Sequence, residues 1–132
     1  MVVGFNISDR MDAAFCTLAL EQALEQWKDR SKPLIHHSDR GLQYCSTLYT
    51  TKLSENQIRI SMTENGDPLE NAIAERLNGI FKEDFEMDRT FKNLTEAKSQ
   101  IPEMVYHYNH LRPHASCNYM TPKLAHAGEG LL

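Results

Sequence analysis

The sequence contains few cysteines, no long apolar run and no excess of positive charge. Its three cysteines, Cys16, Cys45 and Cys117, form no Cys-x-x-Cys pair, and an odd number argues against a disulfide framework. No stretch approaches the roughly 18 consecutive apolar residues that a membrane-spanning helix requires, and no signal-peptide pattern opens the chain. We therefore expect a protein of the reducing cytoplasm that has no membrane partner.

The ionisable residues give a slightly acidic balance. The 132-residue chain has 14 Lys and Arg residues against 18 Asp and Glu residues, for a net charge of −4, and neither half of it is basic. This balance argues against a free-standing electrostatic clamp for DNA. An excess of carboxylates instead suits a site that holds divalent cations. With 41% hydrophobic residues, the chain is expected to form one packed domain or a piece of a larger one.

Strand-like and helix-like patterns alternate along the chain. They predict strands at 2–7, 33–37 and 58–62 and helices at 11–27, 46–56, 68–85 and about 95–110. The second strand is expected to be mostly buried. Asp67 and Pro68 are expected to open the third helix as its N-cap and first residue. The residues after the last helix, rich in Pro, His and Gly, are expected to be irregular.

Alternating strands and helices predict an α/β fold with a sheet that is mainly parallel. Three strands are few for a sheet that helices cover on both faces, and the chain begins inside a predicted strand. We therefore expect that residue 1 is not the natural start of the domain and that further strands lie upstream. No interior domain boundary is predicted.

Asp39 comes just after the second predicted strand, within the run His-Ser-Asp-Arg-Gly at 37–41. Polar groups at the carboxyl ends of strands are where α/β sheets usually bind their ligands. An Asp close before a Gly is also a common turn-capping residue. Position alone therefore leaves both a functional and a structural interpretation of Asp39 open.

Glu75 lies on a polar stripe of the predicted long helix. At about 100° per residue, the polar residues Asn71, Asn78 and Lys82 all fall within about 60° of Glu75. Apolar residues cluster on the opposite side of this helix, namely Leu69, Ile73, Leu77 and Ile80. A solvated helix face would show the same stripe, so here too both interpretations remain open.

One carboxylate from a strand end and another from a helix face would together suit Mg²⁺. This ion takes few protein carboxylates and keeps waters and substrate phosphates as its other ligands. Two such ions about 4 Å apart would activate an attacking oxygen and stabilise a leaving oxygen in phosphodiester chemistry. Lys82, on the same helix face as Glu75, would then hold a DNA phosphate.

The order and spacing of these residues resemble those of a DDE transposase. More narrowly, they are similar to the second-frame (OrfB-type) protein of bacterial insertion sequences, which is akin to retroviral integrases. Thirty-five residues separate Asp39 from Glu75, and Lys82 lies seven residues beyond the glutamate. The motifs that carry the resemblance are HSDRGLQY at 37–44, SMT at 61–63, NAIAE at 71–75, FK at 81–82, YNHLRPH at 108–114 and MTP at 120–122.

The resemblance covers nearly the whole chain and implies a ribonuclease H-like integrase core at 1–125, followed by a C-terminal tail at 126–132. In that family three acidic residues hold two Mg²⁺ or Mn²⁺ ions for phosphodiester cleavage and strand transfer during DNA integration and recombination. By position, Asp39 is the second acid and Glu75 the third. The implied DNA-contacting residues are Lys82, Asn71, Asn78 and Arg112.

The same resemblance implies the partners of the intact protein. These are the DNA of the transposon ends and of the target, further copies of the chain, and a first-frame helix-turn-helix protein or domain. The expected location is the bacterial cytoplasm, in association with the nucleoid.

The chain departs from the family pattern at its beginning. The first acid should lie on a strand upstream of Val2, and Asp9 and Asp12 are poor substitutes because they follow the strand that resembles the family's third. Glu70 stands where many relatives have Asp, which is a mild change. The chain is therefore interpreted as an incomplete, N-terminally truncated core with a helix-rich C-terminal half, inactive by itself.

Two other functions remain open at this point. The chain is alternatively a catalytically inactive remnant that acts only as an association module, for which exposed apolar surface and an unpaired sheet edge are expected. A ribonuclease H-like nuclease that acts on RNA–DNA hybrids is the weaker alternative.

The histidines are poor candidates for a zinc site. His36 and His37 are adjacent in a predicted strand, so their side chains point to opposite faces. His110 and His114 are separated by Pro113, which makes a regular helix between them unfavourable. No cysteine offers a ligand at the spacing of a zinc site.

The aromatic residues near the end of the last predicted helix have two open interpretations. Tyr106, Tyr108 and Arg112 could stack on or pair with nucleic acid. They could equally pack as an aromatic helix end. A Ser–His hydrolase site around Ser38 is disfavoured because no nucleophile-elbow pattern is present.

Overall fold

The computed structural model describes residues 1–64 and 71–128. Its elements, in chain order, are α1 (Ala13–Gln26), β1 (Ile35–Ser38), α2 (Leu42–Cys45), α3 (Thr47–Glu55), β2 (Arg59–Met62), α4 (Ala72–Phe85), α5 (Leu94–His110), a 3₁₀ turn (Ala115–Cys117) and α6 (Pro122–Ala127). The predicted turn with Asp67 and Pro68, together with Leu69 and Glu70, lies outside the described residues. Within the described ranges, no helix is long and apolar enough to span a membrane.

These elements pack into two compact units. The larger comprises Gly4–Asp88 and holds α1 to α4 with both strands, and the smaller comprises Met1–Val3 with Arg89–Leu132 and holds α5 and α6. The predicted division at residue 125 stays a prediction.

The larger unit is organised around a parallel pair of strands. β1 pairs with β2 in a register that runs from Ile35 opposite Arg59 to Ser38 opposite Met62. The chain between them forms α2 and α3, since parallel strands require a long crossover connection. The parallel α/β arrangement predicted from the sequence is thus present in this unit.

A small core lies between α1, α3 and the entry to β2. Leu20, Tyr49, Leu53 and Ile58 are buried together, and Leu53 is the most deeply buried of them, with 1% of its surface exposed. Leu53 lies one helical turn after Tyr49 on α3, so both side chains point to the same side. Burial of this helical face explains why α3 holds its position beneath the sheet.

The strand predicted at 2–7 is absent from the structure. Within the smaller unit, the N–H of Val2 donates to Asn109 Oδ1 at 2.8 Å, and Asn109 Nδ2 donates to the Val2 carbonyl at 2.9 Å. Within the larger unit, the N–H of Phe5 donates to Gln22 Oε1 at 3.1 Å. The prediction is wrong because a strand is defined by a backbone ladder, and side-chain amides here take the place of a partner strand.

The prediction that β1 is mostly buried is also wrong. Leu34 is 42% exposed and Ile35 52% exposed, whereas Ser38 is buried. A strand is buried on both sides only when layers cover both faces of its sheet. In the described residues the sheet has two strands, and α3 contacts the face that carries His36, so Ile35 on the other face meets solvent.

Helix ends follow their capping signals closely. The hydroxyl of Ser46 accepts a hydrogen bond from the N–H of Tyr49 at the start of α3. Asn93 Oδ1 accepts one from the N–H of Glu96 at 2.8 Å at the start of α5. Both helices, and the predicted ends at Phe85 and His110, are confirmed.

The tail is more regular than expected. An antiparallel bridge joins His114 to Met120 around the 3₁₀ turn, and α6 follows at once. Thr121 caps α6 by accepting from the N–H of Leu124, and Pro122 is its first residue. The prediction of an irregular tail is wrong because this Thr-Pro pair is a helix-start signal that outweighs the Pro and Gly content of the segment.

Gly4 and Gly79 provide a matched pair of substitutions for testing the packing of the larger unit. A Cβ at Gly4 would collide with the backbone of α1 at Ala19 and Ala23, whereas a Cβ at Gly79 in α4 meets nothing within 4 Å. We expect Gly4→Ala to lower the free energy of unfolding by about 1–3 kcal/mol, because a helix backbone cannot move aside easily. Gly79→Ala should raise it by about 1 kcal/mol, because alanine favours the helix. Urea denaturation followed by circular dichroism measures both, and equal stabilities would contradict this packing.

Candidate functional site

Asp39 directly follows the last residue of β1 and its side chain is exposed. Asp39 Oδ1 accepts a hydrogen bond from the N–H of Gly41 at 2.8 Å, which bends the chain from the strand towards α2. The turn-capping interpretation is therefore realised in the structure. It does not exclude a ligand role, because an ionised carboxylate has about four acceptor positions and this turn uses one of them.

The loop that carries Asp39 is fastened to the carboxyl end of β2. The N–H of Thr63 donates to the Ser38 carbonyl at 3.1 Å, which continues the ladder one residue beyond the strands. Arg40 Nε donates to the Thr63 carbonyl at 2.6 Å, and Thr63 is only 2% exposed. Asp39 thus lies between two residues that are both tied to the end of β2, so the position of its backbone is fixed.

Glu75 lies in the first turn of α4 and Lys82 in the last, and both side chains are exposed. Seven residues separate them, which corresponds to about 10 Å along the helix axis and nearly the same direction around it. Asn78 is also exposed, and Asn71 is the N-cap residue of α4 but makes no capping hydrogen bond through its side chain. The predicted polar stripe is therefore solvent-accessible in the described part of α4.

The opposite, apolar side of α4 is only partly buried. Ile80 is 4% exposed, as predicted for a residue facing a core, but Ile73 is 90% exposed. The prediction is thus wrong for Ile73, which lies in the first turn, where the described residues pack nothing over its side chain. Burial begins further along the helix, at Ile80 and Phe81.

Asp39 and Glu75 belong to the same compact unit. Their carboxylates are the oxygen donors that Mg²⁺ prefers, so the chemistry of the two side chains fits a divalent cation. In residues 1–64 and 71–128, however, no group of three or more His, Cys, Asp or Glu side chains is placed to hold a metal ion. A metal-ligand role for these two residues stays a prediction, and a third carboxylate is not beside them in the described structure.

Arg112, predicted to contact DNA, lies in the smaller unit just after α5. Its backbone N–H donates to the His107 carbonyl at 3.0 Å, and Arg112 Nη1 lies 3.2 Å from His114 Nδ1. The side chain is half-buried in this position. Its contact with DNA stays a prediction.

The histidines of β1 point to opposite faces of the sheet. His36 Nε2 lies 3.0 Å from Tyr49 Oη on α3, whereas His37 Nδ1 lies 2.9 Å from Ser61 Oγ on the neighbouring strand. The predicted orientation of these two side chains to opposite faces is therefore confirmed.

An aromatic cluster beneath the sheet escaped the sequence-based predictions. The ring of His36 lies 5.4 Å from that of Tyr49 and 6.2 Å from that of Tyr44, measured between centroids. Burial lowers the pKa of His36 and raises the pKa of Tyr49 to about 12. The signal that could have revealed Tyr49 was its four-residue spacing from Leu53 on a predicted helix, whereas α2, which carries Tyr44, gave no signal of its own.

Two sequence profiles, each described as "Integrase core domain", match the chain in succession. One matches residues 1–68 and the other residues 56–122. The first match includes Asp39, and the second includes Glu75, Lys82 and Arg112.

Curated relatives of the chain include transposases of bacterial insertion sequences. The transposase for insertion sequence element IS629 of Shigella sonnei is 38% identical over 111 residues, which is 84% of this chain and 37% of that protein. The transposase for insertion sequence element IS904 of Lactococcus lactis is 32% identical over 124 residues, 92% of this chain and 48% of that protein. The chain thus spans less than half the length of these relatives.

A solved structure shares the fold. It is the cryo-electron microscopy structure of the simian T-cell lymphotropic virus intasome in complex with PP2A regulatory subunit B56 gamma. The TM-score is 0.67 at 18% identity, over 90% of this chain and 41% of the matched chain. This likeness confirms the predicted fold class, an α/β integrase core of the ribonuclease H-like type.

The half-buried His36 makes stability depend on pH. Because the pKa of His36 is lowered in the folded chain, the unfolded chain binds a proton that the folded chain rejects once the pH falls below the ordinary value of 6.5. We expect the free energy of unfolding to fall with pH through that region. In His36→Phe, which keeps a ring but does not titrate, this fall should be shallower.

The matched control is His37→Phe, which removes an exposed histidine from the same strand. Urea denaturation at a series of pH values compares the three proteins. The same slope for wild type and His36→Phe would contradict a lowered pKa of His36 in the folded chain.

Proposed function

Because the chain belongs to the integrase core domain family, we propose that it is the catalytic-core portion of an insertion-sequence transposase. The family is metal-dependent and acts in DNA transposition and integration. The observation that carries the proposal is the succession of the two profile matches, which together cover residues 1–122 and include every residue assigned to the site. On this proposal the intact protein cleaves DNA phosphodiester bonds and transfers the resulting strand end.

In the proposed site, Asp39 and Glu75 are ligands of Mg²⁺ or Mn²⁺, two ions in the complete protein. When bound, such ions polarise a phosphate and help to form the attacking oxygen nucleophile. The contribution of Asp39 rests on its fixed backbone, which the Arg40 and Ser38 contacts to Thr63 hold at the end of the sheet. Glu75 contributes an exposed carboxylate from the first turn of a helix.

The remaining assigned residues bind and orient DNA. Lys82 places a positive charge about two helical turns from Glu75 on the same face, where it would contact a backbone phosphate. Asn78 and Asn71 line the same stripe with amide donors for phosphate or sugar oxygens. Arg112 would make a further contact from the smaller unit.

The complete protein would supply the parts of the transposase that the 132 residues do not contain. The resemblance assigns the first acid of the family pattern to none of the 132 residues, and we propose that the complete protein provides it. We further propose that the intact protein works as a homo-oligomer on transposon-end and target DNA, with a helix-turn-helix protein or domain that recognises the ends. Its proposed location is the bacterial cytoplasm at the nucleoid.

A second candidate is an association module without catalysis. Its support is the exposed apolar side chains of the two strands, with Ile35 52% exposed on one face of the sheet and Ile60 40% exposed on the other. A sheet edge with apolar side chains readily pairs with another strand. In this case the chain would bind a second copy or a complete transposase and would cut no DNA.

A nicking assay tests the catalytic proposal. The chain is fused at its amino end to the corresponding upstream segment of the IS629 relative, and plasmid DNA is supplied with Mg²⁺ or Mn²⁺. We expect metal-dependent nicking, and we expect Asp39→Asn or Glu75→Gln each to lower its rate by more than about 100-fold. The reason is that even residues that only support a metal ligand commonly contribute 10- to 100-fold.

Asp88→Asn and Glu83→Gln are the matched controls, since each neutralises an exposed carboxylate of the larger unit outside the proposed site. Both should nick at the wild-type rate. Full activity of Asp39→Asn or of Glu75→Gln would contradict the assignment, and an inactive fusion protein that still binds a second copy would favour the association module.

A further inference from the structure

α5 presents an exposed row of rings on its solvent-facing side. Its buried residues, Ala97, Ile101, Val105, Tyr108 and Asn109, occupy the side that packs into the smaller unit. Pro102, Tyr106 and His110 follow one another at four-residue intervals on the other side, and all three are exposed. The row extends about 12 Å along the helix axis. Tyr106 is 58% exposed, so core packing does not account for it.

The rings of Tyr106 and His110 form a stacked pair. Their centroids lie 4.4 Å apart, and their planes differ by only 18°. His110 Nδ1 lies 3.1 Å from the Tyr106 carbonyl oxygen. A carbonyl oxygen can only accept, so Nδ1 donates, and this bond holds the imidazole in position against the tyrosine ring. The two rings are therefore arranged on the helix before any ligand arrives.

The overall charge of the smaller unit favours a polyanion. The smaller unit has five Lys and Arg residues against three Asp and Glu residues, whereas the larger has nine against fifteen. Four of the six histidines also belong to the smaller unit. Of its acidic residues, Glu103 is the one that lies beside Tyr106 on α5, one turn before it. A flat aromatic surface in a positively charged unit is the combination with which proteins bind unpaired nucleic acid.

We propose that the Tyr106–His110 pair is a stacking platform for an unpaired base of single-stranded DNA. The inference rests on the proposed function, in which strand cleavage exposes a single-stranded end, and it names the form of DNA that this surface binds. Stacking on the ring faces requires a free base face, which paired bases inside a duplex do not offer. The platform positions DNA and takes no part in the chemistry at Asp39 and Glu75.

Binding of a fluorescein-labelled single strand of about 20 nucleotides, measured by fluorescence anisotropy in EDTA, tests the platform. Tyr106→Ala in the full chain should raise the Kd about 5- to 150-fold, the range expected for losing one base–aromatic stack. Tyr106→Phe keeps the ring and should stay within about twofold of wild type. His110→Ala should weaken binding less than Tyr106→Ala, because the tyrosine ring remains.

Tyr119→Ala is the matched control, because Tyr119 is the other highly exposed tyrosine of the same unit, at 77%. It should bind like wild type. A strand of the same length built from abasic nucleotides should bind more weakly and show no difference between wild type and Tyr106→Ala. The proposal is overturned if wild type does not bind the single strand, if Tyr106→Ala binds it normally, or if the loss is equally large on duplex or abasic DNA.

The binding assay contains EDTA and no divalent ions, so its result does not depend on whether Asp39 and Glu75 bind a metal. It can therefore be separated from the nicking assay. Asp88→Asn, which removes an exposed carboxylate outside the proposed site, should bind the single strand as wild type does. Loss of nicking in Asp39→Asn with no effect of Tyr106→Ala on binding would overturn the platform alone. If Tyr106→Ala weakens binding to the single strand but Asp39→Asn and Glu75→Gln do not slow nicking, the catalytic assignment alone would be overturned.

Discussion

Parallel pairing of β1 with β2 is the constraint on which the larger unit depends. Two strands that run the same way cannot be joined by a tight turn, so the intervening chain must cross over, and it does so through α2 and α3. The crossover brings Tyr49 and Leu53 under the sheet and closes the small core with Leu20 and Ile58. It also places the carboxyl ends of both strands at one edge, where Arg40 and Thr63 fasten the loop that carries Asp39.

Charged residues are distributed unevenly between the two units of the chain. Dividing the chain at its midpoint shows two acidic halves, whereas dividing it by packing shows an acidic unit and a smaller basic one. The carboxylates assigned to metal binding lie in the acidic unit, and the exposed Tyr106–His110 pair lies in the basic unit. A net charge of −4 therefore does not describe the surface that DNA would meet.

Local signals predicted much of the fold. The helix-like pattern placed the start of α3 near Ser46 and that of α5 just after Asn93, and in the structure the side chains of these two residues cap the helices. Local sequence signals were not sufficient to predict whether residues 2–7 form a strand. An apolar run becomes a strand only when a partner backbone is available, and side-chain amides of Gln22 and Asn109 bond this segment instead. Similarly, the burial of Ile35 depends on layers that no local pattern specifies.

For the candidate site, too, the sequence predicts some features and others depend on the three-dimensional structure. The motifs around Asp39, Glu75 and Lys82, taken in order and spacing with those at 61–63, 108–114 and 120–122, predicted the family, since a family pattern is a property of the sequence itself. Whether two carboxylates converge on an ion is a matter of distances between elements, which spacing along the chain does not determine. The platform on α5 needed the structure for another reason, because the stacking of Tyr106 on His110 depends on the rotamers of both side chains.

Calorimetric titration of this chain with Mn²⁺ tests the central claim most directly, since the claim is that Asp39 and Glu75 share a divalent cation. The account predicts saturable binding in wild type and in Asp88→Asn, and loss of that binding in both Asp39→Asn and Glu75→Gln. Circular dichroism would establish that all four proteins are folded. Binding of Mn²⁺ that persists in Asp39→Asn or in Glu75→Gln would contradict the assignment of these carboxylates to one metal site in this chain. The absence of Mn²⁺ binding by the folded wild type would contradict it as well.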